Sequence, residues 1–168
     1  NHSKYFHYLN EKKALQKIKE RDITHFGFPE LYSFRECLGA QYEVLISCFG
    51  RNLKQAQRKQ KNQMFSVQLV YHYIIELVKN EAPALDRNIH GDLKLQNIVE
   101  GEDDPSCIYL IDFGSSQECF NPDGTHKKDK RDHSHTGNLL FSSSNICKGS
   151  SLSRRDDIES IIYMLIHL

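Results

Sequence analysis

The sequence predicts an α+β domain, and three observations predict it. Apolar residues recur at helical steps over 5–20 and, more clearly, over 66–80. Two short β-rich runs, 31–34 and 42–46, lie between these helices. A second pair of apolar runs, 98–99 and 108–111, brackets a turn-rich segment, and a last helix opens near 153. Helices set around small strand pairs make an α+β pattern.

The 168 residues suit one domain, or a large piece of one, with enough chain to bury a core. Acidic and basic residues balance at 22 each, so net charge favours neither nucleic acid nor membrane as a partner. The five cysteines (Cys37, Cys48, Cys107, Cys119, Cys147) are scattered and form no C-x-x-C pair. A disulfide framework or zinc site is not expected, and a reducing cytoplasmic or nuclear compartment fits. No apolar run approaches the ~18–20 residues that cross a bilayer. No signal peptide is visible. The chain begins at Asn1 and stops at Leu168 inside an apolar run, so both ends are expected to be cuts.

The first helix carries Tyr5, Tyr8, Leu9, Leu15 and Ile18 with charges between them, Glu11 included. On spacing alone Glu11 belongs to a solvated face. His25-Phe26-Gly27-Phe28-Pro29 ends the helix. Leu31–Phe34 and Tyr42–Ile46 form a strand pair turning near Gly39. The charged stretch Lys54–Lys61 reads as a solvated helix rather than a nucleic-acid patch. In the helix over 66–80, Val67, Val70, Ile74, Leu77 and Val78 predict one apolar stripe. Ser66 is the expected N-cap, Phe65 a staple on Val70, and Ala82-Pro83-Ala84 the stop. From Ser115 to Ser151 apolar density drops, which predicts a long loop. His126, His133 and His135 fall in it without Cys or carboxylate at matching spacing, so no metal is expected there. Ser153 and Asp156 have capping-box spacing ahead of a helix apolar nearly all round, the mark of burial inside a larger body.

The chemistry concentrates in Asn88-Ile89-His90-Gly91-Asp92-Leu93-Lys94-Leu95-Gln96-Asn97-Ile98-Val99, with Leu110-Ile111-Asp112-Phe113-Gly114 beyond it. A hairpin between 98–99 and 108–111 would bring Asp112 back beside Asn97. Phosphoryl transfer asks for positioning and charge stabilisation rather than covalent help. Asp92 can orient or deprotonate an attacking hydroxyl, and Lys94 can neutralise charge on the moving phosphoryl. Mg²⁺ takes oxygen ligands, which Asn97 and Asp112 supply.

The conjunction of His-x-Asp-x-Lys-x-x-Asn with Asp-Phe-Gly resembles the protein kinase superfamily. Within it, Thr136-Gly137, Ser143-Ser144-Asn145 and Ser153-Arg154-Arg155-Asp156-Asp157-Ile158-Glu159-Ser160 resemble the casein kinase 1 group, whose last motif reads Ser-Arg-Arg-Asp-Asp-Leu-Glu-Ser. Phe49-Gly50-Arg51-Asn52-Leu53 is similar to that group's Leu-Gly-Pro-Ser-Leu. The resemblance implies a truncated kinase-like α+β fold: an N-lobe remainder over 1–46, a hinge over 47–53 and the first part of a mainly helical C-lobe over 54–168. It implies ATP and Mg²⁺ as cofactors. Asp92 and Lys94 become catalytic, Asn97 and Asp112 metal-binding. Glu11 becomes the helix C glutamate and Ile46 the gatekeeper, with Ser47, Cys48 and Phe49 against adenine. The implied partners are proteins with Ser or Thr acceptors, acidic or already phosphorylated, met by a monomer with Arg154 as an anion contact. Neither nucleic acid nor membrane is implied. A Gly-rich loop and strand Lys would precede Asn1, so the fragment alone is expected to be a poor catalyst.

Two departures stand out. Gly91 replaces the Arg of His-Arg-Asp, which implies that activation does not run through a phosphorylated loop paired at that position. Leu139-Leu140-Phe141 replaces the group's Ala-Arg-Tyr, which bears on peptide preference. His-Gly-Asp also occurs in small-molecule phosphotransferases resembling aminoglycoside and choline kinases, but those lack Thr-Gly and Ser-Arg-Arg-Asp-Asp. A pseudokinase serving as a binding module is the other alternative, although Asp92, Lys94, Asn97 and Asp112 are all present.

Overall fold

The structure is a computed structural model that describes residues 2–22, 27–37, 41–84, 88–129 and 138–168, without the side chains of 2 and 80–84. Helix α1 spans His2–Glu20, and strands β1 (Leu31–Cys37) and β2 (Gln41–Ile46) pair antiparallel, with Phe34 opposite Val44. Tyr8 stacks on Tyr42 at 4.7 Å and meets Phe34 edge-on at 6.0 Å, which seats α1 on this sheet. Leu15 and Ile18, one turn apart, are buried beneath it with Phe28 and Leu31. The expected turn at Gly39 and the residues His25-Phe26 lie outside the described residues.

Helix α2 covers Leu53–Lys59. Asn52 and Gln55 cap it reciprocally: the Gln55 N–H reaches Asn52 Oδ1 at 2.9 Å and the Asn52 N–H reaches Gln55 Oε1 at 3.0 Å. It is not wholly a solvated helix, since Leu53, Ala56 and Gln57 are buried and Gln57 donates to the His167 carbonyl at 3.0 Å. Charged residues mark its outer face only.

Helix α3 runs Val67–Ala84, and the Ser66 hydroxyl accepts from the Leu69 N–H at 3.3 Å as its cap. Its stripe differs from the expected one. Leu77 is buried and Val70 packs on the core as expected, whereas Val67 and Val78 are exposed and Tyr73 is buried instead, with Phe65 edge-on to it at 5.4 Å. The face is shifted from the expected one toward an aromatic whose hydroxyl finds a partner, Glu100 Oε1 at 3.4 Å.

Strand β3 (Asn88–Ile89) pairs with β6 (Gln117–Glu118), and β4 (Ile98–Glu100) with β5 (Ile108–Leu110), both antiparallel. The second pair is the expected hairpin, with Ile98 opposite Leu110. The segment after it is more structured than a loop: a 3₁₀ turn at Leu139–Phe141 and helix α4 (Ser144–Cys147) pack Phe141 and Ile146 into the interior. Thr136-Gly137, His133 and His135 lie outside the described residues, and His126 packs its ring on Phe120 at 4.2 Å. Among the described residues, no group of three or more His, Cys, Asp or Glu could hold a metal ion.

Helix α5 spans Arg154–His167. Asp156 accepts from the Ser153 N–H at 2.7 Å and from its hydroxyl, the capping arrangement expected. Ile161, Met164 and Leu168 face the core, whereas Ile158, Ile162 and Ile166 are exposed. No helix among the described residues is long and apolar enough to cross a membrane.

Candidate active site

Two short segments meet at the site. The first, 90–97, leaves β3 and reaches β4. His90 is buried at its start: its Nδ1 accepts from the Asp92 N–H at 3.3 Å, and its Nε2–H donates to the Ile111 carbonyl at 3.2 Å. Burial drives the imidazole down to about 4, more than the Ile111 carbonyl and the carboxylates of Asp112 and Asp92 can restore. His90 is therefore neutral and serves as a spacer between the two segments.

Beneath them, Asp157 of α5 accepts the His90 N–H at 2.7 Å and the Gly91 N–H at 3.0 Å. Burial raises its carboxyl while those two donors pull it back. Gly91 has φ of +79°, and a Cβ there would lie 3.0 Å from the Ser115 carbonyl and 3.1 Å from Leu152. The tight backbone approach leaves no room for a side chain.

The turn presents Asp92. Its Oδ2 is held by the Lys94 ammonium and lies 3.4 Å from Asn97 Nδ2, which also donates to the Asp92 carbonyl at 2.9 Å. The other oxygen, Asp92 Oδ1, is buried and has no hydrogen-bond partner among the described residues. A buried acceptor left open costs free energy unless something is meant to donate to it.

The second segment follows β5. The Ile111 N–H donates to the Asn97 carbonyl at 2.9 Å, so the hairpin does place Asp112 beside Asn97. Asp112 adopts φ 68° and ψ 70°, a left-handed conformation unusual for a residue other than Gly. Its exposed carboxylate lines an open cleft of about 730 Å³ together with Glu11, Ile46 and Gly114. Glu11 is raised to about 8, first by burial and then by the Asp112 charge, against a hydrogen bond from the Phe113 N–H. Asn10 beside it donates to the Gly114 carbonyl at 3.1 Å.

Of the residues expected against a nucleotide, Glu11 and Ile46 line this cleft and Ser47, Cys48 and Phe49 do not. The Ser47 N–H is taken by the Glu30 carbonyl at 3.0 Å, and Cys48 is exposed with its thiol pushed up by a hydrogen bond to Glu102. The Phe49 ring packs on Tyr109 at 4.9 Å. Arg154 lies at the opposite end of the chain's sequence, exposed at the start of α5, with its guanidinium 5.6 Å from the Phe120 ring.

No protein-family model matches the chain. Individual relatives do. The human serine/threonine-protein kinase VRK2 is 25% identical over 173 residues, covering 97% of this chain and 33% of its own length. A fowlpox virus protein named probable serine/threonine-protein kinase FPV212 is 27% identical over 169 residues, covering 96% of this chain and 54% of its own. A probable casein kinase I homolog of Encephalitozoon cuniculi is 40% identical over 80 residues, which is 48% of this chain. The solved structure of vaccinia related kinase 3 superposes with a TM-score of 0.77 at 23% identity, over 95% of this chain and 50% of that one. The chain is similar to these serine/threonine protein kinases and shares the fold of the solved one.

Its relatives include proteins named as casein kinase I homologs, and this chain spans between a third and about half the length of the first two relatives. The fold is the kinase α+β fold over the part of it that is present. Sequence reasoning missed two side chains that shape the site. Asp157 was read as part of a motif, although a carboxylate on a helix apolar nearly all round has to find buried donors. Asn10 was passed over beside Glu11, and nothing in its spacing announces a bond to a residue 104 positions away.

Proposed function

We propose that this chain is the central part of a serine/threonine protein kinase of casein kinase 1 type, transferring the γ-phosphate of ATP to protein Ser or Thr hydroxyls. The observation that carries the reading is Asp92 Oδ1. It is an open, buried carboxylate oxygen whose partner oxygen is already neutralised by Lys94, in the segment that meets the one whose Asp112 carboxylate faces a cleft.

Asp92 Oδ1 would take the hydrogen bond of the acceptor hydroxyl and orient its lone pair for attack. Lys94, fixed on Oδ2, keeps that carboxylate in place and offers positive charge next to the transfer path. Asp112 and Asn97 present oxygens that suit Mg²⁺, and the bound ion would supply charge neutralisation for the phosphate chain. Neutral His90 ties the two segments together one residue before Asp112, through the Ile111 carbonyl. Glu11, raised and half-enclosed beside Asp112, is suited to a cationic partner such as the strand Lys that the family carries.

The substrate class follows from the same site plus Arg154, an exposed cation at a helix N-terminus, where an acidic or phosphorylated peptide would be favoured. A monomer acting in the cytoplasm or nucleus is part of the reading, and five cysteines (Cys37, Cys48, Cys107, Cys119 and Cys147) that form no disulfide with one another support a reducing compartment.

The test is an assay of the full-length protein with Mg-ATP and an acidic Ser-containing protein, beside Asp92→Asn and Asp112→Asn. Transfer that both changes leave intact sinks the assignment. Nucleotide binding without transfer in the wild type moves the reading to a pseudokinase.

A further inference from the structure

Three consecutive residues ahead of α5 each hold a different part of the molecule. The Ser151 N–H donates to Asp129 Oδ1 at 2.8 Å, just beyond the small hairpin in which Phe120 pairs with His126. The Leu152 side chain stands over the catalytic loop, where a Cβ at position 91 would lie 3.1 Å from its Cδ1. Ser153 donates its N–H and its hydroxyl to one oxygen of Asp156, whose other oxygen takes the hydroxyl of Ser143, the N-cap of α4. Residues 151–153 thus join both ends of the stretch between Ser115 and Ser151 to the loop that carries Asp92.

Leu152 is the apolar member of the three, and its place is decided by what residue 91 lacks. Gly91 has φ of +79°. Asp157 accepts its N–H at 3.0 Å and that of His90 at 2.7 Å, which fixes the loop on one side. On the other side the Ser115 carbonyl stands 3.0 Å from the point where a Cβ would be, and Leu152 stands beside it. A backbone oxygen and an apolar side chain therefore fill the space that any side chain at 91 would need. Leu152 forms no hydrogen bond through that side chain; it acts by close packing, which resists displacement of the backbone it touches. Asp92 follows directly in the chain, so a shift of the Gly91 peptide would carry its carboxylate along.

We propose that Leu152 is a positioning residue for Asp92: its side chain fills the space left open at position 91 and holds the Gly91 backbone against the Asp157 carboxylate. This rests on the kinase reading and adds to it a residue outside the sequence motifs of the site. Order in the loop then comes from apolar packing, and no charged group is needed at position 91.

The test uses the full-length protein with Mg-ATP and casein, in Leu152→Ala and the volume-conserving Leu152→Met, well below the melting temperature of each variant. Leu152→Ala should lower kcat roughly ten-fold, since a misplacement of about 1 Å can cost about a hundred-fold, and leave KM for ATP within about two-fold of wild type. Leu152→Met should keep at least about half of the wild-type kcat. Amide exchange at His90 and Gly91 should speed about five-fold in Leu152→Ala and stay near wild type in Leu152→Met. A leucine that only adds stability would lower the melting temperature and leave kcat and exchange at these two amides unchanged; that result overturns the proposal. Equal losses in Leu152→Met and Leu152→Ala overturn it too, because packing volume would then not be what matters. Should Leu152→Ala fail to fold, Leu152→Val takes its place, with an expected kcat loss of about three-fold and the outcomes read in the same way. A wild-type protein that neither binds Mg-ADP nor transfers phosphate defeats the kinase reading separately, and the exchange arm still decides for or against Leu152.

Discussion

The two segments of the site are built to opposite plans. The loop 90–97 is anchored from within: His90 is buried, Asp157 reaches up from α5 to hold two of its backbone N–H groups, and Lys94 and Asn97 pin Asp92. The turn 112–114 is more open and strained, with Asp112 exposed in a left-handed conformation and α1 as its support. The segment of Asp92 is thus preorganised by the body of the domain, whereas the turn of Asp112 rests on one helix. Preorganised groups stabilise developing charge without rearranging, and movable ones allow control.

The largest effect expected from breaking the first plan is at Asp92. Asp92→Asn in the full-length protein should lower phosphate transfer by about a thousand-fold, the middle of the range for a lost general base. Thermal unfolding should show only a small loss, from weakening the Lys94 pair on Oδ2, since the open Oδ1 contributes none. A variant that keeps a tenth of the wild-type rate would place the base elsewhere.

Next is Asp157. Asp157→Ala leaves the His90 and Gly91 N–H groups buried without an acceptor and should cost about 3 kcal/mol in urea unfolding. Asp157→Asn keeps one acceptor oxygen and should cost less. Equal losses in the two variants would mean that packing, not the two hydrogen bonds, holds the loop.

Gly91→Ala should cost about 2 kcal/mol, from a positive φ and a clash with the Ser115 carbonyl. Gly91→Arg, which restores the superfamily's usual residue, should be no better. If it were as stable as wild type, the loop would have to be free to change its backbone, against the first plan.

The smallest effects separate the segments by pH. His90 sits at about 4 when folded and near 6.5 when unfolded, so its contribution is present above 6.5 and lost as pH falls through about 4. Glu11 sits at about 8 when folded and near 4.5 when unfolded, so its contribution is full below 4.5 and lost as pH rises through about 8. In unfolding curves of this chain, His90→Gln should flatten the acid limb and Glu11→Gln the alkaline one. Should both substitutions act on the same limb, the two segments do not differ in the way described.

Much of this was legible beforehand because it is local. Helix α1, the 98–110 hairpin, the Ser153–Asp156 cap and the Asp92, Lys94, Asn97 and Asp112 set all follow from spacing and residue chemistry within a few positions. The hairpin even carried a long-range result, the meeting of Asp112 with Asn97, because a short turn leaves the chain little choice. The face of α3 was less legible, since Val67, Val78 and Tyr73 all fit a helical stripe and only the neighbouring surfaces choose among them.

The sequence by itself determined the α+β class, the kinase-like motifs and which oxygens could hold metal or a hydroxyl, because each depends on residue types at fixed spacing. Only the tertiary structure decided that Asp92 keeps one oxygen open, that Asp157 anchors the loop from below and that Asn10 grips Gly114. Those are bonds between residues as far as 104 positions apart, and they exist because packing of the core, not any local pattern, brings the backbones together.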